Sequence, residues 1–287
     1  MPHRRKGFTL IELAVVCAIV AVLAMLMLPA MKQRWNASGL NESMNNVRQI
    51  MAACDAYRSE HNGYTPIRGC AYNNGSISGG WDTWNFGGKN CNPFWLTAYG
   101  GVFDESAYSR FLNPYLQNHM PAAPAGYFNA GAGPTWTFLT GTPTLLERQS
   151  FSVKVCRSPG DVATRQRLWP NSAPGISTYD DVGTSYLINM RWWDQPGMTG
   201  TFTQRFNTGS LAISRLAQAR AARPASDFVW ITDPMGDALA AASANVVGEF
   251  GGLNYSVLGF LDGRVAYMPL TPGALSGPGY TFAVPLP

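Results

Sequence analysis

The feature that limits this chain most is an uncharged run of nineteen residues, Leu13 to Met31, rich in Ala, Val, Leu and Met. About 20 apolar residues at 1.5 Å each cross roughly 30 Å of hydrocarbon, so the run predicts a membrane helix over 8–31. One carboxylate, Glu12, stands at its mouth. An ionised carboxylate entering lipid costs on the order of 3 kcal/mol unless something pairs with it, so Glu12 is either an edge residue reaching for the interface or a residue waiting for a partner. Arg4, Arg5 and Lys6 precede the run. By the positive-inside bias they keep the front of the chain in the cytoplasm and send everything beyond about residue 31 outward.

The residues leading into the run are Gly7-Phe8-Thr9-Leu10-Ile11-Glu12. With basic residues upstream, this arrangement resembles the type IV pilins and type II secretion pseudopilins. The resemblance implies that a prepilin peptidase cuts between Gly7 and Phe8 and that Phe8 becomes an N-methylated terminus. It also implies that Glu12, then the fifth residue, assists filament assembly. Pro29 falls where many such proteins carry a helix-loosening proline. The implied partners are pilin-like subunits in a homo- or hetero-filament, the peptidase, an inner-membrane assembly platform, and membrane lipid before assembly. The implied location is a single pass through the inner membrane with a periplasmic or extracellular head. In a bundle of such helices the Phe8 amine of one copy can lie near the Glu12 carboxylate of another, and each charge then offsets the other's desolvation. A secretory signal peptide would need a small-residue cleavage site after the apolar stretch, whereas the helical pattern continues through Leu28-Pro29-Ala30.

The 287 residues leave ample length for a core once the first thirty are set aside. Lys and Arg number 21 against 17 Asp and Glu, and removal of Arg4, Arg5 and Lys6 leaves 18 against 17. A nearly neutral mature chain argues against a nucleic-acid partner. Charged residues make up 13%, about half the usual share. Such a composition suits a secreted, loop-rich surface that contacts other subunits. Cys17 lies in the apolar run, and Cys54, Cys70, Cys91 and Cys156 lie beyond it in an oxidising compartment, where four cysteines allow two disulfides. The expected pairs are Cys70 with Cys91, closing a Gly/Asn/Trp-rich loop, and by elimination Cys54 with Cys156.

Past the run the helix continues, because Leu40, Met44, Val47, Met51 and Cys54 recur at steps of four and three. His61-Asn62-Gly63 and Pro66 stop it near residue 61. Residues 63–134 are loop-rich, with a short helix expected near Ser106 to Leu116. Trp81, Trp84, Phe86, Phe94, Trp95 and Tyr99 read either as the local core of this region or as a platform that stacks on sugar rings. From residue 135 the pattern turns to strands: Thr135–Thr140, Phe151–Cys156, Thr184–Met190, Phe228–Thr232, Ser256–Leu261 and Arg264–Pro269. A short helix is expected at Leu211–Ala222, a two-residue hairpin turn at Asp262-Gly263, and a loosely held strand or arm from Thr271. The domain reading is a leader 1–7, a long helix 8–62, a variable region 63–134 and a β-rich head 135–287. The predicted fold class is therefore α+β and pilin-like: a long N-terminal helix, membrane-embedded in its first half, packed on an antiparallel sheet with large loop insertions.

A second arrangement covers about residues 150–270: Cys156-Arg-Ser-Pro-Gly-Asp161, Thr184-Ser-Tyr-Leu-Ile-Asn189, Trp230-Ile-Thr-Asp233 and Asp262-Gly263-Arg264. It is similar to a pseudopilin-like family with a C-terminal His-x9-Asp-Gly element, although Gly252 stands at the histidine position. No enzyme is expected. The Gly-x-Ser-x-Gly elbow is missing, no glycine-rich phosphate loop is present, and His61 and His119, the only histidines after the leader, sit at a helix end and in a loop. The one cofactor with a place to look is calcium, on Asp233, Asp237 and Asp262, since major pseudopilins bind it in a C-terminal loop and calcium takes oxygen ligands. The alternative to a filament subunit is an anchored surface module that recognises a glycan or secreted substrate.

Overall fold

The structure, a computed structural model, describes residues 10–67, 83–96, 98, 103–104, 106–117, 151–169, 171–218 and 226–286. Gly7, Phe8, Cys70, Trp81, Tyr99, His119 and the expected strand Thr135–Thr140 lie outside the described residues.

Helix α1 runs from Leu10 to Glu60. It ends at Asn62 and Gly63, both in left-handed backbone (φ 54 and 82), with Gly63 N–H returned to Arg58 O at 2.8 Å. His61 closes the same turn, stacked on Tyr57 with Nδ1 2.8 Å from Tyr57 O. The rear half of α1 buries the expected stripe and more: Val47, Ile50, Met51 and Cys54 are inaccessible or nearly so, and Leu40 and Met44 pack at its edge.

That stripe meets a four-stranded antiparallel sheet, β3 (Leu187–Ile188), β4 (Val229–Thr232), β5 (Tyr255–Phe260) and β6 (Val265–Pro269), in that order across the sheet. Along β5 the alternation of strand side chains separates two cores: Val257 faces the α1 side, whereas Leu258 and Phe260 face the other. Gly259 is required there, because a Cβ would come within 2.7 Å of Val47 on α1. β4 departs from strict alternation. Val229 opposes Phe260 while Ile231 opposes Gly259, so the strand carries an extra residue at Trp230, and both Trp230 and Ile231 face the α1 core. Helix α4 (Phe202–Gln218) covers this core beside the 3-10 turn Arg191–Asp194, with Gly209 leaving room for the Trp192 ring, which a Cβ would meet at 2.1 Å. The opposite sheet face is covered by α5 (Pro234–Ala241) and by the C-terminal ribbon β7 (Ser276–Gly277) and β8 (Tyr280–Thr281), which buries Tyr280 and Phe282. The tail expected to be loosely held is thus part of the second core.

Other expectations are corrected as follows. Among the described residues no helix is long and apolar enough to cross a membrane. The helix expected over Ser106–Leu116 is a 3-10 turn, Ala107–Ser109, and one turn of α-helix, α2 (Asn113–Leu116), because Arg110 leaves the helix to enter the core. Phe151–Cys156 is extended chain ending in a 3-10 turn. The Asp262-Gly263 turn is a three-residue loop: Phe260 N–H reaches Arg264 O, and only Gly263 takes positive φ (93), so a bulge glycine replaces the two-residue turn. A hairpin of β1 (Ala163–Leu168) and β2 (Asn171–Pro174), rich in polar residues, was not expected. Nor was α3 (Thr178–Val182), capped by Ser177.

Candidate functional site

On the front half of α1, every large apolar side chain described between Leu10 and Met31 is exposed, from Leu10 at 85% to Val16 at 47%. Water-exposed apolar surface of this extent calls for a cover, which this chain's head does not supply. Glu12 lies in the first turn of α1, where the positive end of the helix dipole favours a carboxylate. Trp35, 76% exposed, stands one turn beyond Met31.

The rear half is locked to the head by a polar knot. Tyr186 Oη sits 3.0 Å from Ser43 Oγ, and Asn46 Nδ2 donates to Arg157 O at 3.0 Å. Ser158 Oγ donates to Glu249 at 2.7 Å and lies 3.5 Å from Ser43 Oγ. These hydroxyl and amide groups have few alternative partners at this depth, so they fix which turn of α1 meets the sheet.

Cys54 and Cys156 do not pair as expected, and no disulfide forms among the described residues; the other expected pair, Cys70 with Cys91, includes a residue outside them. Cys54 lies on the buried face of α1 and Cys156 ends a 3-10 turn, each a separate thiol whose burial pushes its pKa up to about 12. Cys91 Sγ lies 3.5 Å from Val182 O and accepts from Arg110 Nη2 at 3.3 Å. The loop layer around Cys91 is gathered by Arg110. This side chain is 2% exposed and donates to Trp84 O at 2.5 Å, Gly87 O at 2.8 Å and Val182 O at 2.6 Å. A thiolate-selective reagent at pH 8 is expected to spare Cys54 and Cys156 until the protein is denatured; peptide mapping by mass spectrometry reads the result.

The calcium candidates do not converge either. Asp233 is the N-cap of α5, accepting from Met235 N (3.0 Å), Gly236 N (3.1 Å), Ser256 Oγ (2.6 Å) and Val257 N (2.9 Å). Asp237 pairs with Arg191 at 2.8 Å, and Asp262 accepts from Arg264 N in the hairpin loop. Their lone pairs are committed to the fold, and among the described residues no three His, Cys, Asp or Glu side chains are grouped to hold a metal. Of the aromatics, Trp84, Phe86 and Trp95 are buried in the loop layer, whereas Phe94 is 41% exposed.

Three carboxyls around the polar knot resist ionisation. Burial raises Asp161, Asp233 (to about 6) and Glu249, and the mutual proximity of Asp233, Asp161 and Glu249 raises the last further. A carboxyl with a raised folded pKa holds a proton that the unfolded chain releases, so its contribution favours the fold more as pH falls from about 6 towards 4. The thermal midpoint of the head, followed by circular dichroism, is expected to be higher at pH 5 than at pH 7.5. A midpoint that falls on acidification contradicts this.

An N-terminal helix with an uncovered apolar front and an antiparallel sheet packed on its rear is the build of a pilin-like protein. Residues 2–28 match the family model described as the prokaryotic N-terminal methylation motif, so the chain carries the prepilin-type motif of type IV pilin- and pseudopilin-like proteins. No curated protein and no solved structure matches the chain. Sequence reasoning missed Arg110, Tyr186 and Ser43. Only the short buried strings around them, Tyr108-Ser-Arg-Phe-Leu112 and Thr184-Ser-Tyr-Leu-Ile188, carried any signal.

Proposed function

We propose that this chain is a structural subunit of a type IV pilus or a type II secretion-like filament, cut after Gly7, methylated at Phe8 and assembled through α1. The observation that carries the reading is the uncovered apolar front of α1 joined to the methylation motif. Before assembly the front of α1 anchors the chain to the membrane, Trp35 lying at the headgroup level where an indole finds both oil and water. On assembly the same surface exchanges lipid for the helices of neighbouring copies. Glu12 then takes the Phe8 amine of a neighbour as counter-ion, which sets the step between subunits. The head needs no catalytic group for this role. The test is to co-express the full chain with a prepilin peptidase and weigh the product intact. Loss of residues 1–7 with gain of one methyl group is expected, and a product that retains them overturns the reading.

A further inference from the structure

Where the loop layer meets β1, the Arg191–Asp194 turn and α5, the surface sinks into a cavity of about 360 Å3. This lies within the range of about 300–1,000 Å3 typical of small-molecule sites. Its apolar lining is aromatic: Trp84, Trp95 and Trp169, with Phe103. The Trp84 indole N–H donates to Phe103 O at 3.3 Å and that of Trp95 to Asp181 Oδ1 at 2.9 Å, so these two rings have only carbon to offer a ligand.

The polar lining is unusual in what it leaves undone. Two buried side-chain polar atoms on this wall, Thr83 Oγ1 and Gln166 Nε2, lack a hydrogen-bond partner. Arg191 Nε and Asp237 Oδ1, 2.8 Å apart, form an ion pair beside them. Thr83 is only 5% exposed. Unmet polar atoms at such depth are costly, and two on one cavity wall call for a partner from outside the chain.

The chemistry of that partner follows from the wall. Donors (the Gln166 amide, the Arg191 guanidinium) alternate with acceptors (Asp194 and Asp237), and Thr83 is both. A ligand that gives and takes hydrogen bonds in equal measure while laying a C–H face on indole carbon is a sugar ring. An anion would meet the carboxylates of Asp194 and Asp237. A cation would find the Trp169 ring already taken, because the Arg191 guanidinium lies 5.1 Å from its centre.

We propose that this cavity binds a neutral saccharide unit, its hydroxyls held by Thr83 and Gln166 beside the Arg191–Asp237 ion pair and its apolar face set against the tryptophans. The site is independent of α1 and stands whether or not the chain polymerises. The test uses the full-length chain in a sugar-free detergent such as lauryldimethylamine oxide. It is titrated with neutral oligosaccharides of glucose, galactose and N-acetylglucosamine, with sialylated glycans and with choline, and followed by saturation-transfer NMR. At least one neutral oligosaccharide is expected to bind. Thr83→Val and Gln166→Met, which keep side-chain volume, are each expected to weaken it about tenfold or more with an unchanged circular dichroism spectrum. Absence of binding by every neutral oligosaccharide at millimolar concentration overturns the proposal, as does a preference for sialylated glycans or choline. So does full affinity in Gln166→Met, whose half-buried position makes it the safer variant should Thr83→Val misfold.

Discussion

Replacing Glu12 by leucine in the full-length chain is expected to leave peptidase cleavage and the fold of the head intact and to abolish filaments. Two effects act in the same direction. A carboxylate in lipid costs on the order of 3 kcal/mol, so leucine makes the membrane-resident state more comfortable by about that amount. It also removes the counter-ion for the Phe8 amine of the next copy, leaving that charge unpaired in an apolar bundle. Head packing starts near Gly39, far along α1, and does not involve the mutated turn. The measurement is the amount of subunit in the sheared surface fraction relative to the membrane, with intact mass confirming processing. Wild-type levels of filament in the Glu12→Leu strain would sink the proposed assembly role.

Replacing Arg110 by methionine is expected to destabilise the head by about 3–5 kcal/mol, because three buried carbonyl oxygens lose their donor at roughly 1–3 kcal/mol each. Methionine fills much of the volume but leaves Trp84 O, Gly87 O and Val182 O without their donor in a region where water does not replace it. The loss falls on the layer formed by the described residues of 83–96 and 106–117, which a second buried side chain also braces. Asn113 joins Gly88 O at 2.8 Å and Ala107 O at 2.6 Å. Denaturant unfolding followed by tryptophan fluorescence reads the change, since Trp84 and Trp95 report from within the layer. Limited proteolysis should cut the variant inside 83–117 first. Arg110→Lys, with one ammonium in place of a fork, is expected to recover only part of the loss.

Helix α1 and strands β4 to β6 were legible because each carries a pattern that its environment enforces: one stripe against the sheet, and branched or aromatic residues buried on both faces of β4 and β5 and half-buried in β6. The methylation motif was legible because it is contiguous. What was misread depended on context. Asp233-Pro234 suggested an ion ligand, yet Asp before Pro is also the signature of a capped helix start, and α5 begins there. Cysteines in an exported chain suggested disulfides, but Cys54 and Cys156 fill space in a core. β1 and β2 escaped notice because Ala-Thr-Arg-Gln-Arg-Leu has no apolar alternation, being a surface ribbon fastened through Thr164 and Arg167 to buried Asp181. The tryptophan cavity could not be foreseen, since its wall joins residues 83–95, 166–169, 191–194 and 237, which no local pattern connects.

The docking of the head begins near Gly39, so some thirty residues of α1, about 45 Å at 1.5 Å each, project beyond it. In the proposed filament a projection of this length would let one stem overlap several neighbours at once. Tensile load would then spread over many shallow lateral contacts, and the outer surface would be released from any duty to hold copies together and left at liberty to vary.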